Sequence, residues 1–203
     1  MNGSTDQIDD GIASAILADS KYEQLRVRRF SYFKQPIPRK LAWQGVLLLG
    51  LSLVAPIALS YPGPVTGLFA DGSPLYASPV IVLVGVFTVG VELLASLGHV
   101  AVAVVLVRRK SGLSRQRARD LLALEDVSSL LGLGTGALGA AVTVGYFLFG
   151  HAGPTAVSEY VAAGGRNPFD PSGTGITVAA VAVAAFCAGL VLIGVSRYLD
   201  ARL

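Results

Sequence analysis

Residues 91–110 read VELLASLGHVAVAVVLVRRK: a hydrocarbon-rich run that carries an acid, Glu92, and an imidazole, His99, and is closed by Arg108, Arg109 and Lys110. Followed back to Val80, the apolar run extends to Val107. That is longer than the about 20 residues an α-helix needs to cross a bilayer, so this helix is expected to tilt or protrude at one end. Three further runs, 41–61, 128–149 and 176–195, are close to spanning length. Trp43 and Tyr61 bound the first of them, as interfacial aromatics do. Pro56 lies late in that run and is expected to kink it, because neighbouring helices can satisfy the carbonyl it leaves free.

Composition agrees with a chain built for lipid. Of 203 residues, 53% are hydrophobic and 14% charged, against about 25% charged in soluble domains. The expected fold is all-α: an integral membrane four-helix bundle with short cytoplasmic interfacial helices and sequential antiparallel neighbours. Residues 1–40 form an amino-terminal cytoplasmic segment and 41–203 the membrane domain. The polar opening stretch contains no short apolar core followed by a cleavage site, so the first span is expected to direct insertion itself.

The sixteen basic residues set the orientation. Lys21, Arg26, Arg28, Arg29, Lys34, Arg39 and Lys40 precede the first span. Arg108, Arg109, Lys110, Arg115, Arg117 and Arg119 lie between the second and third, Arg197 and Arg202 follow the fourth, and Arg166 alone lies between the third and fourth. The positive-inside rule then puts both termini in the cytoplasm of a multi-pass cell-membrane protein. Asn2-Gly3-Ser4 matches a glycosylation sequon, but on that side of the membrane it reads as a chance match. Arg28, Arg29, Arg39, Lys40, Arg108, Arg109 and Lys110 are expected to act as basic anchors on anionic lipid headgroups.

Two lead-in helices are expected on the cytoplasmic side. One covers residues 5–25, with Ile8, Ile12, Ala15 and Ile16 on one face. The other starts after Ser114 as N-cap, places Ala118, Leu121, Leu122 and Glu125 on one side, and runs on into the third span. The two external connections are rich in Gly, Pro and Ser and read as turn-forming stretches too short to bury a core of their own.

The functional question lies in the second span. At about 100° per residue, Gly85, Thr88, Glu92, Ser96 and His99 line one face. That stripe is expected to face the bundle, since an acid at mid-bilayer costs about 2.5 to 3.5 kcal/mol against lipid. Ser96, His99, Gln44, Ser52, Thr135, Thr143 and Thr177 are the candidate partners of Glu92. Gly132, Gly136, Gly139, Thr143 and Tyr146 form a slim face on the third span, which is expected to pack against the second or fourth.

Two roles suit the stripe. As a relay, Glu92 takes a proton or ion at the bilayer centre and His99 passes it to the cytoplasmic side. As a strut, a neutral Glu92 donates a hydrogen bond to a carbonyl or hydroxyl and holds helices together. Weighing these, the first expectation is a non-enzymatic accessory or scaffold component that engages anionic lipid and a partner membrane protein or a second copy of itself. The second is a small permease or proton- or ion-conducting protein using Glu92 and His99. A membrane enzyme ranks last, because no nucleophile, base and metal set clusters at either interface. No phosphate loop, dinucleotide fingerprint, zinc-protease motif or nucleophile elbow occurs. Cys187 is the only cysteine and reads as an apolar filler. No cofactor, metal or nucleic acid is expected.

Overall fold

The computed structural model describes residues 21–28, 33–69, 72–108 and 113–202. Arg29, Arg109, Lys110, the Asn2-Gly3-Ser4 sequon and most of the helix expected over 5–25 lie outside the described residues, as does the Arg28 side chain. The protein is an all-α four-helix bundle. Among the described residues, four helical runs are long and apolar enough to cross a membrane: Ile37–Leu59, Val80–Arg108, Arg115–Ala162 and Val178–Asp200.

The bundle is apolar outside and polar within. Leu53, Phe87, Leu94, Leu97, Leu130, Leu138, Val183 and Val191 are exposed on its flanks, while Lys40, Gln44, Thr88, Glu92, Ser96, His99, Glu125, Ser129 and Thr143 are buried. A water-soluble fold shows the reverse, and a continuous exposed apolar coat of this kind needs a covering medium.

Local sequence sets each run. Pro36, extended, precedes the first helix, and Pro38 occupies its opening turn, where a missing N–H costs nothing. The regular ladder breaks for one residue at Leu53, whose N–H reaches back to Gly50, and resumes as Val54–Leu59. This interruption lies three residues ahead of Pro56, as its missing donor requires. Ser114 caps the third run, its hydroxyl oxygen accepting from the Arg117 N–H at 3.3 Å. That run is continuous from the polar lead-in Arg115–Ser129 through a π-helical turn, Leu130–Gly136, into Ala137–Phe149. The wide turn coincides with LLGLGTG, where three glycines offer little side-chain resistance to local unwinding of the helix.

The connection after the third span is more ordered than its composition suggests. Residues Gly153–Ala162 are helical, with Pro154 in the first turn. Opposite loops cap one another's helices. The Val80 and Ile81 N–H groups donate to the carbonyls of Asp170 and Pro168, and those of Val178 and Ala179 donate to Ala77 and Leu75. Orphan donors at both helix starts are thereby satisfied. Below them, Tyr61, Phe69 and Phe169 form an aromatic cluster.

The first and fourth spans share the most extensive interface, so the first span's main neighbour is not its sequential one. The cause is a pair of glycines. A Cβ added at Gly45 would lie 2.9 Å from the Gly189 carbonyl oxygen, and one added at Gly189 would lie 2.9 Å from that of Gly45. Ser196 fastens the same interface by donating to the Pro38 carbonyl at 2.8 Å. Replacing either glycine by alanine should destabilise the protein by about 1–3 kcal/mol through overpacking. Gly194→Ala, on the open side of the same helix, should not. Thermal unfolding in detergent checks this, and equal melting temperatures for all three variants would remove the close contact as an explanation.

Candidate functional site

Gly85, Thr88, Glu92, Ser96 and His99 are all buried, and Glu92 and His99 are fully enclosed. Most hydroxyls near Glu92 do not serve it. Ser96 donates to Leu93 at 2.8 Å, Thr88 to Val84 at 2.8 Å and Thr143 to Gly139 at 2.8 Å. These are the short-range bonds that Ser and Thr make to the preceding helical turn. Ser52 likewise bonds Leu49, and Thr177 caps the fourth span. Ser96 is therefore not the partner of Glu92 that its spacing suggests.

The nearest polar group comes from the first span: the Gln44 amide nitrogen is set beside the Glu92 carboxyl without closing a hydrogen bond, and the Gln44 oxygen lies 3.1 Å from His99 Nδ1. His99 Nε2 lies 3.1 Å from the Ser129 hydroxyl, which in turn donates to the Glu125 carbonyl at 2.7 Å. The third span makes room for this chain by omitting side chains. A Cβ at Gly132 would overlap the Gln44 amide, one at Gly136 the Glu92 carboxyl, and one at Gly139 the Thr88 hydroxyl. The slim face thus meets both the first and the second span, and Gly132 and Gly136 belong to the π-helical turn.

The chain ends in an ion pair. Lys40 was expected as a lipid-facing anchor, yet it is 1% exposed and donates to Glu125 at 2.6 Å. An ammonium one turn into a membrane helix needs either snorkelling room or a counter-charge. The lead-in of the third run supplies the latter. Tyr22, from helix Lys21–Arg28, donates to the other Glu125 oxygen at 2.5 Å. Burial, reinforced by the Glu125 carboxylate, raises the Tyr22 hydroxyl far above its ordinary range, so it remains a donor in alkaline solution. Three chain segments are joined at this point. Arg39 and Arg108, by contrast, are exposed at the same end of the bundle.

Within the spans, Glu92 and the Gln44 nitrogen are exceptions to the satisfied pattern; outside them the Gln35 side-chain oxygen is another. Neither carboxyl oxygen of Glu92 closes a hydrogen bond, nor does the Gln44 amide nitrogen beside them. Buried polar atoms are otherwise paired in the great majority of cases, so an enclosed carboxyl without a partner marks a place where a proton or ligand can be held. Among the described residues, no three His, Cys, Asp or Glu side chains converge as a metal shell requires.

Two residues of the site carried a signal in the sequence. Lys40 sits just inside a proline-started helix, and Glu125 is an acid on the apolar side of the lead-in; the pairing itself is a tertiary fact. Comparison with protein-family models, with curated proteins and with solved structures found no match to this chain.

Breaking the ion pair from one side should be costly. Lys40→Met leaves a buried carboxylate with one neutral donor and should lower stability by about 3–5 kcal/mol. The double variant Lys40→Met/Glu125→Leu should recover most of that loss. Unfolding in detergent decides, and a double variant as unstable as the sum of the two singles would show the charges to be uncoupled.

Proposed function

We propose that this chain is a small proton-carrying protein of the cell membrane, with both termini cytoplasmic, in which Glu92 is the proton acceptor midway across. The observation that carries the reading is the Glu92 carboxyl: enclosed, unbonded, and set beside Gln44, from which a bonded series runs through His99 and Ser129 to Glu125 and its ion pair at one end of the bundle. The strut role asks Glu92 to donate to a carbonyl or hydroxyl, and it makes no such bond.

The polar chain reaches one side only. Beyond Thr88 and Thr143, the interior is closed by Leu51, Phe147 and Tyr61, the last donating to the Phe147 carbonyl at 2.6 Å. This supports a carrier that exchanges protons with one face at a time rather than an open pore. A proton suits the site better than a metal cation, because one carboxyl and one amide fall short of the six or more oxygens that hard cations gather. The distribution of basic residues supports opening towards the cytoplasm. Exposed Arg39 and Arg108 at that end suit anionic headgroups.

The test is proton flux into proteoliposomes carrying an internal pH reporter. Wild-type protein should dissipate an imposed gradient, and Glu92→Gln, which keeps the shape but cannot ionise, should reduce the rate at least tenfold. If Glu92→Gln conducts as well as wild type while Glu92→Leu alone lowers folded yield, Glu92 is a structural group. A stable stoichiometric partner in mild detergent would then support the accessory role.

A further inference from the structure

The polar series from Glu92 to Glu125, hydrogen-bonded from Gln44 onward, can be drawn in two directions, and the donors available at each atom decide which. Ser129 has one hydroxyl proton, neutral His99 has one ring proton, and the Gln44 amide has a donor end and an acceptor end that fill nearly the same space. In the first direction, Ser129 donates to His99 Nε2, His99 Nδ1–H donates to the Gln44 oxygen, and the Gln44 nitrogen faces Glu92. This is the direction in which the 3.1 Å contact between Nδ1 and the Gln44 oxygen is a hydrogen bond. It leaves Glu92 as a pure acceptor, which fits the carboxylate.

In the second direction every donor turns round. A protonated Glu92 donates to the Gln44 oxygen, the amide being rotated by half a turn. The Gln44 nitrogen donates to His99 Nδ1, His99 Nε2–H donates to Ser129, and Ser129 donates to the Glu125 carbonyl, as it does at 2.7 Å in this structure. Either direction satisfies every member once the gap between Gln44 and Glu92, which stands open in this structure, is closed. A mixed chain, with Gln44 set for the first direction and Ser129 for the second, requires both ring nitrogens of His99 to carry protons. Such an imidazolium would be a fully enclosed charge whose ring nitrogens meet only an amide oxygen and a hydroxyl, with no carboxylate bonded to it.

We infer that Gln44 is the positioning residue that couples the protonation of Glu92 to the tautomer of His99. This deepens the proton-carrier reading and rests on it only for its physiological meaning. In the balance, one proton enters from solution, Glu92 gains one, and His99 keeps one but on its other nitrogen. The groups that face the chain are few. The helix Lys21–Arg28 contributes Tyr22, bonded to Glu125, the first span Gln44 and Lys40, and the third run Glu125, Ser129 and the bare backbone at Gly132 and Gly136; the buried face of the fourth span carries no titratable side chain. Gln44 suits the role because its oxygen meets His99, its nitrogen lies unbonded beside Glu92, both on a different span, and Gly132 leaves its amide room. His99 in turn reports at Ser129, on the cytoplasmic side of the carrier proposed above.

The chain holds two histidines, His99 and His151, so nitrogen-15 NMR of histidine-labelled protein in lipid bilayers can read the tautomer directly, with His151→Asn assigning the signals. On lowering the pH, His99 should exchange Nδ1–H for Nε2–H in wild type. The exchange should be absent in Glu92→Gln and in Gln44→Met over the same range. A wild-type His99 that holds one tautomer throughout overturns the inference without reference to any variant, as does a Gln44→Met protein that still switches. Flux that depends on Glu92 with a fixed tautomer would sink the coupling and leave the carrier standing. A switching tautomer in a protein that conducts no protons would do the opposite.

Discussion

Hydrocarbon offers no hydrogen-bond partner, so each polar side chain on these four helices must find one inside the bundle or remain unsatisfied. That constraint organises the molecule. An acid facing lipid at mid-bilayer costs about 2.5 to 3.5 kcal/mol, enough to fix the rotation of the second span with Glu92 and His99 inward. Once they point inward, the facing helix must be slim, and Gly132, Gly136 and Gly139 supply that face. The space they leave is filled by Gln44 from a third helix. The same constraint draws Glu125 to Lys40, because neither charge at that depth is tolerable alone. Tyr22 completes the carboxylate and attaches the helix before the first span to the lead-in of the third.

The interior is divided along its length. At the end bearing most of the arginines, it holds an ion pair, a phenol, an imidazole and a hydroxyl in one connected series. At the other end it is aromatic, roofed by two loops that cap each other's helices. Glu92 lies at the boundary, about 18 Å along the axis from one end of its helix and about 24 Å from the other. The π-helical turn stands directly opposite. Such turns recur at functional sites because the altered ring size opens the backbone ladder, and here it brings Gly132 and Gly136 against Gln44 and Glu92, whose facing atoms lack hydrogen-bond partners.

Much of this was legible in the residues alone. The four spans follow from run length, and the inward stripe from three- and four-residue spacing. The Ser114 cap and the continuous third helix follow from local chemistry. What could not be read was pairing between segments distant in sequence. Lys40 looks like one more member of a basic strip until Glu125, 85 positions away, is placed beside it. Ser96 looks like the neighbour of Glu92 because spacing along one helix is visible, whereas the approach of Gln44 from another is not. The Gly45–Gly189 contact, which makes the first and fourth spans partners, depends on two glycines that no periodic pattern singles out. Helical order at Gly153–Ala162 was hidden by a composition rich in turn formers.

If Glu92 carries protons, its proton exchanges with water through the interior of the bundle. Infrared difference spectroscopy of the protein in bilayers reads that exchange from the protonated-carboxyl band that Glu92→Gln removes. The band should shift promptly when the buffer is changed to heavy water, and should disappear reversibly as the pH is raised. A Glu92 band that neither exchanges its proton nor responds to pH would contradict the account, and would make the carboxyl a permanently neutral part of the packing.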